Sequence, residues 1–244
     1  MSHAITICKR ELGNYFGTPV AYVFMVIFLA LTGVFTFYIG GFYERAQADL
    51  TPFFIYHPWL YLFLIPALSM RLWAEERKSG SIELLMTLPV SVTDAVIGKF
   101  LAAWLFTAIS LALTLPMWIT VNYLGNPDNS VIFASYIGSL LMAGAYLAIG
   151  ASISAITKNQ VIAFVISVVL CFLFILSGFP LVLNFFSGWA PQTIVNAIAS
   201  LSFLTHYSNI AKGLLDFRDI FYFLSFIGFW LYVNVVLIEL KKAD

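Results

Sequence analysis

The chain has 244 residues, 61% of them hydrophobic and only 10% charged, with zero formal net charge and a mean hydropathy of +0.95. A soluble domain carries roughly 25% charged residues, so lipid must be the solvent for most of this chain, and a soluble catalytic domain is excluded. Zero net charge supplies no field to gather nucleic acid.

In chain order, Lys9 and Arg10 precede an apolar stretch, Val20–Gly41. That stretch is longer than the roughly 7–15 residues of a signal-peptide core, so it reads as a retained anchor. A helix crossing lipid needs about 20 apolar residues. Six segments qualify: Val20–Gly41, Phe54–Trp73, Phe100–Tyr123, Val131–Ile156, Val161–Leu183 and Ile220–Ile238. None carries a charge at mid-depth, and Arg71 sits at the end of the second. Helices fit because every backbone group must be satisfied within its own segment. The 17% aromatic content suits Trp and Tyr anchors at the headgroups. The sequence therefore predicts an all-α, polytopic membrane protein with six transmembrane helices.

Lys and Arg bias sets orientation. With the N-terminus inside, Lys9, Arg10, Arg71, Arg77, Lys78, Lys99, Lys158, Lys241 and Lys242 face the cytoplasm, and only Arg45, Lys212 and Arg218 face out. Both termini are expected inside. Cys8 and Cys171 form no CxxC pattern, which leaves neither a disulfide framework nor a structural zinc site. Gly125-Asn126-Pro127-Asp128 and Thr157-Lys158-Asn159-Gln160 are tight turns, whereas inner Ala74–Gly98 and outer Asn184–Asp219 are too long for that.

The inner segment carries the strongest signal. Ala74-Glu75-Glu76-Arg77-Lys78-Ser79 continues the second span as a charged helix, and Gly80 is suited to the left-handed stop. Ser81 caps a predicted short helix, Ile82–Leu88, with Glu83 in its first turn. Pro89 ends it, and Ser91 with Asp94 forms a box-like cap for the third span. Ile82, Leu85 and Met86 share one side, with Leu84 and Leu88 near a second. Such a helix either lies in the headgroup layer or docks into a groove on a soluble partner.

The run Ala74-Glu75-Glu76-Arg77-Lys78-Ser79-Gly80-Ser81-Ile82-Glu83-Leu84-Leu85-Met86-Thr87-Leu88-Pro89-Val90, followed by Gly98-Lys99-Phe100, resembles the hallmark of type-2 ABC exporter permeases, the ABC-2 family. Asp49-Leu50-Thr51-Pro52-Phe53-Phe54, Pro58-Trp59-Leu60 and Ile65-Pro66-Ala67 are similar to its gliding-motility-type branch. The resemblance implies a single permease domain over residues 1–244 in a bacterial inner membrane. It implies that Glu75, Glu76, Arg77, Gly80, Glu83, Leu84, Leu85 and Pro89 belong to a cytoplasmic coupling helix seated on a separate ABC ATPase subunit. It also implies an interfacial elbow helix over 5–16, with Ile5, Cys8 and Leu12 on one face, Lys9 and Arg10 near the headgroups, and Glu11 among its residues. Expected partners are that ATPase, which binds ATP and Mg, a second permease chain as homodimer or heterodimer, and a periplasmic or accessory membrane subunit. This chain itself is expected to hold no cofactor. A phosphate-binding loop needs G-x-x-x-x-G-K-[ST], but Gly98-Lys99 is followed by Phe100 and position 93 is Thr93.

Beyond Trp189-Ala190-Pro191, Ile194, Ala197, Ile198 and Leu201 recur at helical spacing, as a re-entrant outer helix or an amphipathic cap. His3, His57 and His206 are scattered and assign no metal. Thr32, Thr36, Ser69, Thr107, Ser110 and Thr114 are expected to bond within their own helices or to neighbours, and Gly144, Ala148 and Ser152 form a small-residue ridge suited to close packing. A secondary transporter would need ionisable groups within spans or matched broken half-helices. An intramembrane enzyme would need converging catalytic groups. Neither pattern is seen; a scaffold that docks an ATPase without moving cargo stays open.

Overall fold

The computed structural model describes residues 2–82, 90–214 and 216–240. Among these there is no strand. The helices are α1 (Ser2–Gly17), α2 (Pro19–Val34, continued by a π turn over Phe35–Ile39), α3 (Thr51–Phe54), α4 (His57–Ser69), α5 (Arg71–Ser79), α6 (Val92–Ala112), α7 (Leu115–Leu124), α8 (Asn129–Ile156), α9 (Gln160–Leu176), α10 (Pro180–Ser187), α11 (Gln192–Ser200), α12 (Phe203–Ile210) and α13 (Phe217–Leu240).

Among the described residues five stretches are long and apolar enough to cross a membrane: Ala21–Ile39, Thr51–Ser79, Val92–Leu124, Asn129–Ile156 and Phe217–Leu240. The predicted fifth span, Val161–Leu183, is not one straight helix. It breaks between α9 and α10 with a bend of 71°; counted as one span, the pair gives six. Pro180 starts the new helix, and Phe179 before it is extended (φ −72°, ψ 134°), as steric clash with a following proline requires. Gly178 lies against the start of α12, where a Cβ would come within 2.2 Å of Ser202 Oγ.

α8 is the post around which the other helices stand. In its most apolar window 83% is buried, against 17% for α13. Asp128 caps it, accepting from the Ser130 and Val131 amides at 3.0 and 3.4 Å. The ridge of Gly144, Ala148 and Ser152 receives α13: a Cβ on Gly144 would meet Ile227 Cδ1 at 2.9 Å, and Ser152 Oγ donates to the Trp230 carbonyl at 2.8 Å. The span hydroxyls of Thr32, Thr36, Ser69, Thr107, Ser110 and Thr114 all bond back to their own helices. Two cross-helix exceptions brace the post. Thr114 also meets the Tyr136 hydroxyl at 3.0 Å. Ser139 Oγ lies 2.6 Å from His57 Nδ1 and 2.9 Å from the Tyr61 hydroxyl.

Candidate functional site

The charged helix α5 begins where the second span breaks. Pro66 has no amide to donate, and the ladder resumes with Met70 N bonded to the Pro66 carbonyl at 2.9 Å. A break inside a membrane protein strands backbone groups, which are costly unless bonded. Ser154 near the end of α8 meets that demand. Its oxygen accepts from the Trp73 and Ala74 amides, both at 3.0 Å, and donates to the Met70 carbonyl at 2.9 Å. A hydroxyl has one proton and two lone pairs, so Ser154 is saturated.

From there α5 runs with Leu72, Trp73 and Ala74 buried and Glu75, Lys78 and Ser79 exposed. Arg77 Nη1 donates to the Ala155 carbonyl at 2.5 Å, a second tie to α8. Gly80 ends the helix at φ 75°, ψ 0°, a left-handed conformation that costs a side-chain-bearing residue about 1–2 kcal/mol. On the far side, Ser91 Oγ accepts from the Asp94 amide at 3.0 Å and donates to its carboxylate at 2.7 Å, capping α6. The remaining predicted coupling positions, Glu83, Leu84, Leu85 and Pro89, lie outside the described residues.

α1 lies along α6. Gly98 makes the approach feasible, since a Cβ there would sit 2.8 Å from the Ala4 carbonyl and from Ile7 Cβ. Tyr15 stacks on Phe106 with ring centroids 5.2 Å apart. The buried face of α1 is centred on Ala4, Ile7 and Cys8; Leu12 is half-buried and Ile5 is 54% exposed. Ile5 and Leu12 thus sit on the flank of the buried stripe, which continues through Glu11 and Tyr15 at helical spacing. Lys9 and Arg10 are exposed, and Arg10 Nη2 pairs with Glu11 Oε1 at 2.7 Å. Burial raises the Cys8 thiol, which makes it packing sulfur rather than a nucleophile. Burial likewise raises the Tyr15 phenol; Glu11 pushes the same way and Arg71 opposes.

Lys99 joins these pieces. It is 3% exposed, although charged. Its Nζ donates to Glu76 Oε1 at 2.7 Å and to the Leu72 carbonyl at 3.1 Å, lies 3.8 Å from Glu11 Oε1, and sits 5.0 Å from the centre of the Trp73 ring. One ammonium therefore links α1, α5 and α6, while Glu76 Oε2 is buried with no hydrogen-bond partner among the described residues. A buried ion pair holds only while both members stay in place, so the three helices are coupled. Sequence reading placed Lys99 on the cytoplasmic side and within the family-like run Gly98-Lys99-Phe100, but not in this site.

Beside the hub lies a cavity of about 500 Å³. Its lining includes the charged Glu11, Arg71, Glu75 and Lys99 and the apolar Phe24, Ile27 and Leu68. α1 and α2 line it on one side and α4 and α5 on the other. No group of His, Cys, Asp and Glu suited to a metal occurs among the described residues.

A family model described as ABC-2 family transporter protein matches residues 36–238. Heme exporter protein B of Paracoccus denitrificans (strain Pd 1222) is 31% identical over 138 residues, which cover 55% of this chain and 59% of that protein. The family match takes in the second span, the charged α5 and the buried Lys99, along with every later helix. This multi-pass membrane chain belongs to the ABC-2 family of transporter proteins.

Proposed function

We propose that this chain is the permease subunit of an ATP-driven exporter, and that a separate ABC ATPase grips the segment from Glu75 to Pro89. The observation that carries the reading is the Lys99 hub. It ties α5, in which that segment begins, to both the N-terminal helix and the third span. A push on α5 therefore reaches two other elements without passing through flexible chain. The working unit is two permease chains and two ATPases, with the pathway at the interface between permeases and the charged-to-apolar cavity opening toward it. The protein sits in a bacterial inner membrane with both termini cytoplasmic. The α10–α11 hairpin rests in the outer leaflet; no position between Lys158 and Lys212 is Asp, Glu, Lys or Arg, so no acidic or basic side chain of that kind in it resists lipid. The relative's name puts heme first among the cargoes to test.

The test is Glu83→Lys, read for ATPase co-purification and for transport in vesicles. Within the predicted helix the reversal costs about 0.3–1 kcal/mol, too little to unfold the bundle. At a partner surface it sets like charges together at a cost on the order of several kcal/mol. Normal abundance with loss of the ATPase and of transport is expected. Wild-type co-purification with wild-type transport would remove this residue from the interface, and a bound ATPase that never drives transport would favour a scaffold.

A further inference from the structure

On the opposite face from the hub, three helix ends meet at one histidine. His206 on α12 lies with Nδ1 2.5 Å from Asp219 Oδ1, in the first turn of α13, and with Nε2 2.9 Å from the carbonyl of Ser200, the last residue of α11. Its ring stacks on Tyr222 with centroids 3.9 Å apart and planes at 20°. The Tyr222 hydroxyl donates to the Leu201 carbonyl at 2.6 Å, on the same turn.

We propose that His206 is a protonation-gated latch that clamps the outer helix α11 to the first turn of α13. A carbonyl only accepts, so Nε2 must carry a proton to bond Ser200. The contact between Nδ1 and the carboxylate needs a second proton, whichever atom holds it. Two protons thus serve three groups, and removing one breaks a link. A neutral ring that keeps its proton on Nε2 turns the Nδ1 lone pair against a carboxylate that is only 5% exposed. A ring that keeps it on Nδ1 turns the Nε2 lone pair against the Ser200 carbonyl. The buried carboxylate is the costlier group to leave unpaired, so the ring retains Nδ1–H and the tie to α11 opens.

The direction follows. The latch is closed while the pair holds its extra proton, toward lower pH, and opens as rising pH removes that proton. The His206 side chain is 17% exposed, so protons reach it. With the Ser200 tie released, the Tyr222–Leu201 bond holds only the end of α11, because α11 buries only Val195 and α10 buries nothing. The elements packed against His206 carry few other ionisable groups. α11 has none, α9 has Cys171, α8 has Tyr136 and Tyr146, α12 adds Tyr207, and α13 with its preceding loop adds Lys212, Asp216, Arg218, Tyr222, Tyr232 and Glu239. Among the described residues Asp219 is the ion-pair partner of His206.

The experiment uses the full chain in lipid nanodiscs, with the buried Cys8 and Cys171 changed to alanine and a nitroxide on Ala197→Cys in α11. Nitroxide mobility should rise from about pH 5 to about pH 8. Imidazole ¹⁵N spectra, assigned by His206→Phe among the three histidines, should show two protonated ring nitrogens becoming one over the same range. His206→Phe should leave α11 mobile at every pH. Asp219→Asn should hold it closed at every pH, because the amide N–H bonds Nδ1 while Nε2–H keeps Ser200. Mobility that stays flat while the imidazole titrates would overturn the latch, as would an imidazole that keeps one protonation state throughout or an Asp219→Asn variant that stays pH-responsive.

Discussion

Replacing Lys99 with methionine nearly keeps the volume of the side chain, one atom shorter, and removes the charge, so the change is chiefly electrostatic. Glu76 then loses its 2.7 Å partner, and its second oxygen already has none among the described residues. Breaking a fully buried pair costs about 3–5 kcal/mol. The Glu76 side chain is 21% exposed, so water relieves part of that, and about 2–3 kcal/mol is expected. The Leu72 carbonyl adds little, because it stays within the α5 helix ladder. Changing Glu76 to glutamine as well removes the stranded charge and should recover most of the loss, since neutral replacement of a whole buried pair is often tolerated. The two buried cysteines provide the assay: a thiol-reactive dye reports unfolding as they become accessible. For a chain of this size each kcal/mol moves the midpoint by about 2–4 °C, so Lys99→Met should fall by about 4–12 °C and the double variant should return most of the way. Transport should stay low in both, because the link between α1, α5 and α6 is gone in both. A Lys99→Met midpoint equal to wild type, or a double variant no more stable than the single, would refute the ion pair as the tie.

Ser154→Ala strips three backbone groups of their partner and should cost about 1–3 kcal/mol by the same assay; Ser154→Gly should do no better. Gly98→Leu cannot keep α1 on α6, so Cys8 should label many times faster under native conditions while Cys171 stays protected. The Ser130 side chain and the Ser130 and Val131 amides hold the Asp128 carboxyl below its usual range. A depressed carboxyl contributes its stability above the unfolded value and loses it as pH falls through the folded one. Amide exchange at Ser130 and Val131 should therefore stay slow at about pH 4 and quicken only below it, and Asp128→Asn should abolish that step.

What was legible in the sequence was what one segment fixes by itself. The spans follow from apolar length, the stop at Gly80 from its missing Cβ, and the Ser91–Asp94 cap from a three-residue spacing. The break at Gly178–Pro180 was read through, because hydropathy stays high across it and only the backbone chemistry of Phe179–Pro180 marks it. The buried stripe of α1 was placed a little to one side, since Ala4 carries less weight than Ile5 in a hydrophobic pattern yet lies, with Ile7, against Gly98. The contacts that assemble the sites were not legible at all. Lys99 meets Glu11 and Glu76, and His206 meets Asp219, only through the fold, and a sequence gives no distance between such residues.

The saturated hydroxyl of Ser154 has a mechanical consequence. It ties the second span to the most buried helix between two further ties, His57 and Tyr61 on Ser139 to one side and Arg77 on the Ala155 carbonyl to the other. The span of 29 residues is thereby held to α8 from His57 to Arg77. Tilting it about Ser154 would break the ties on either side, so the second span and α8 move as one body, and a displacement of α5 at Gly80 would carry both together.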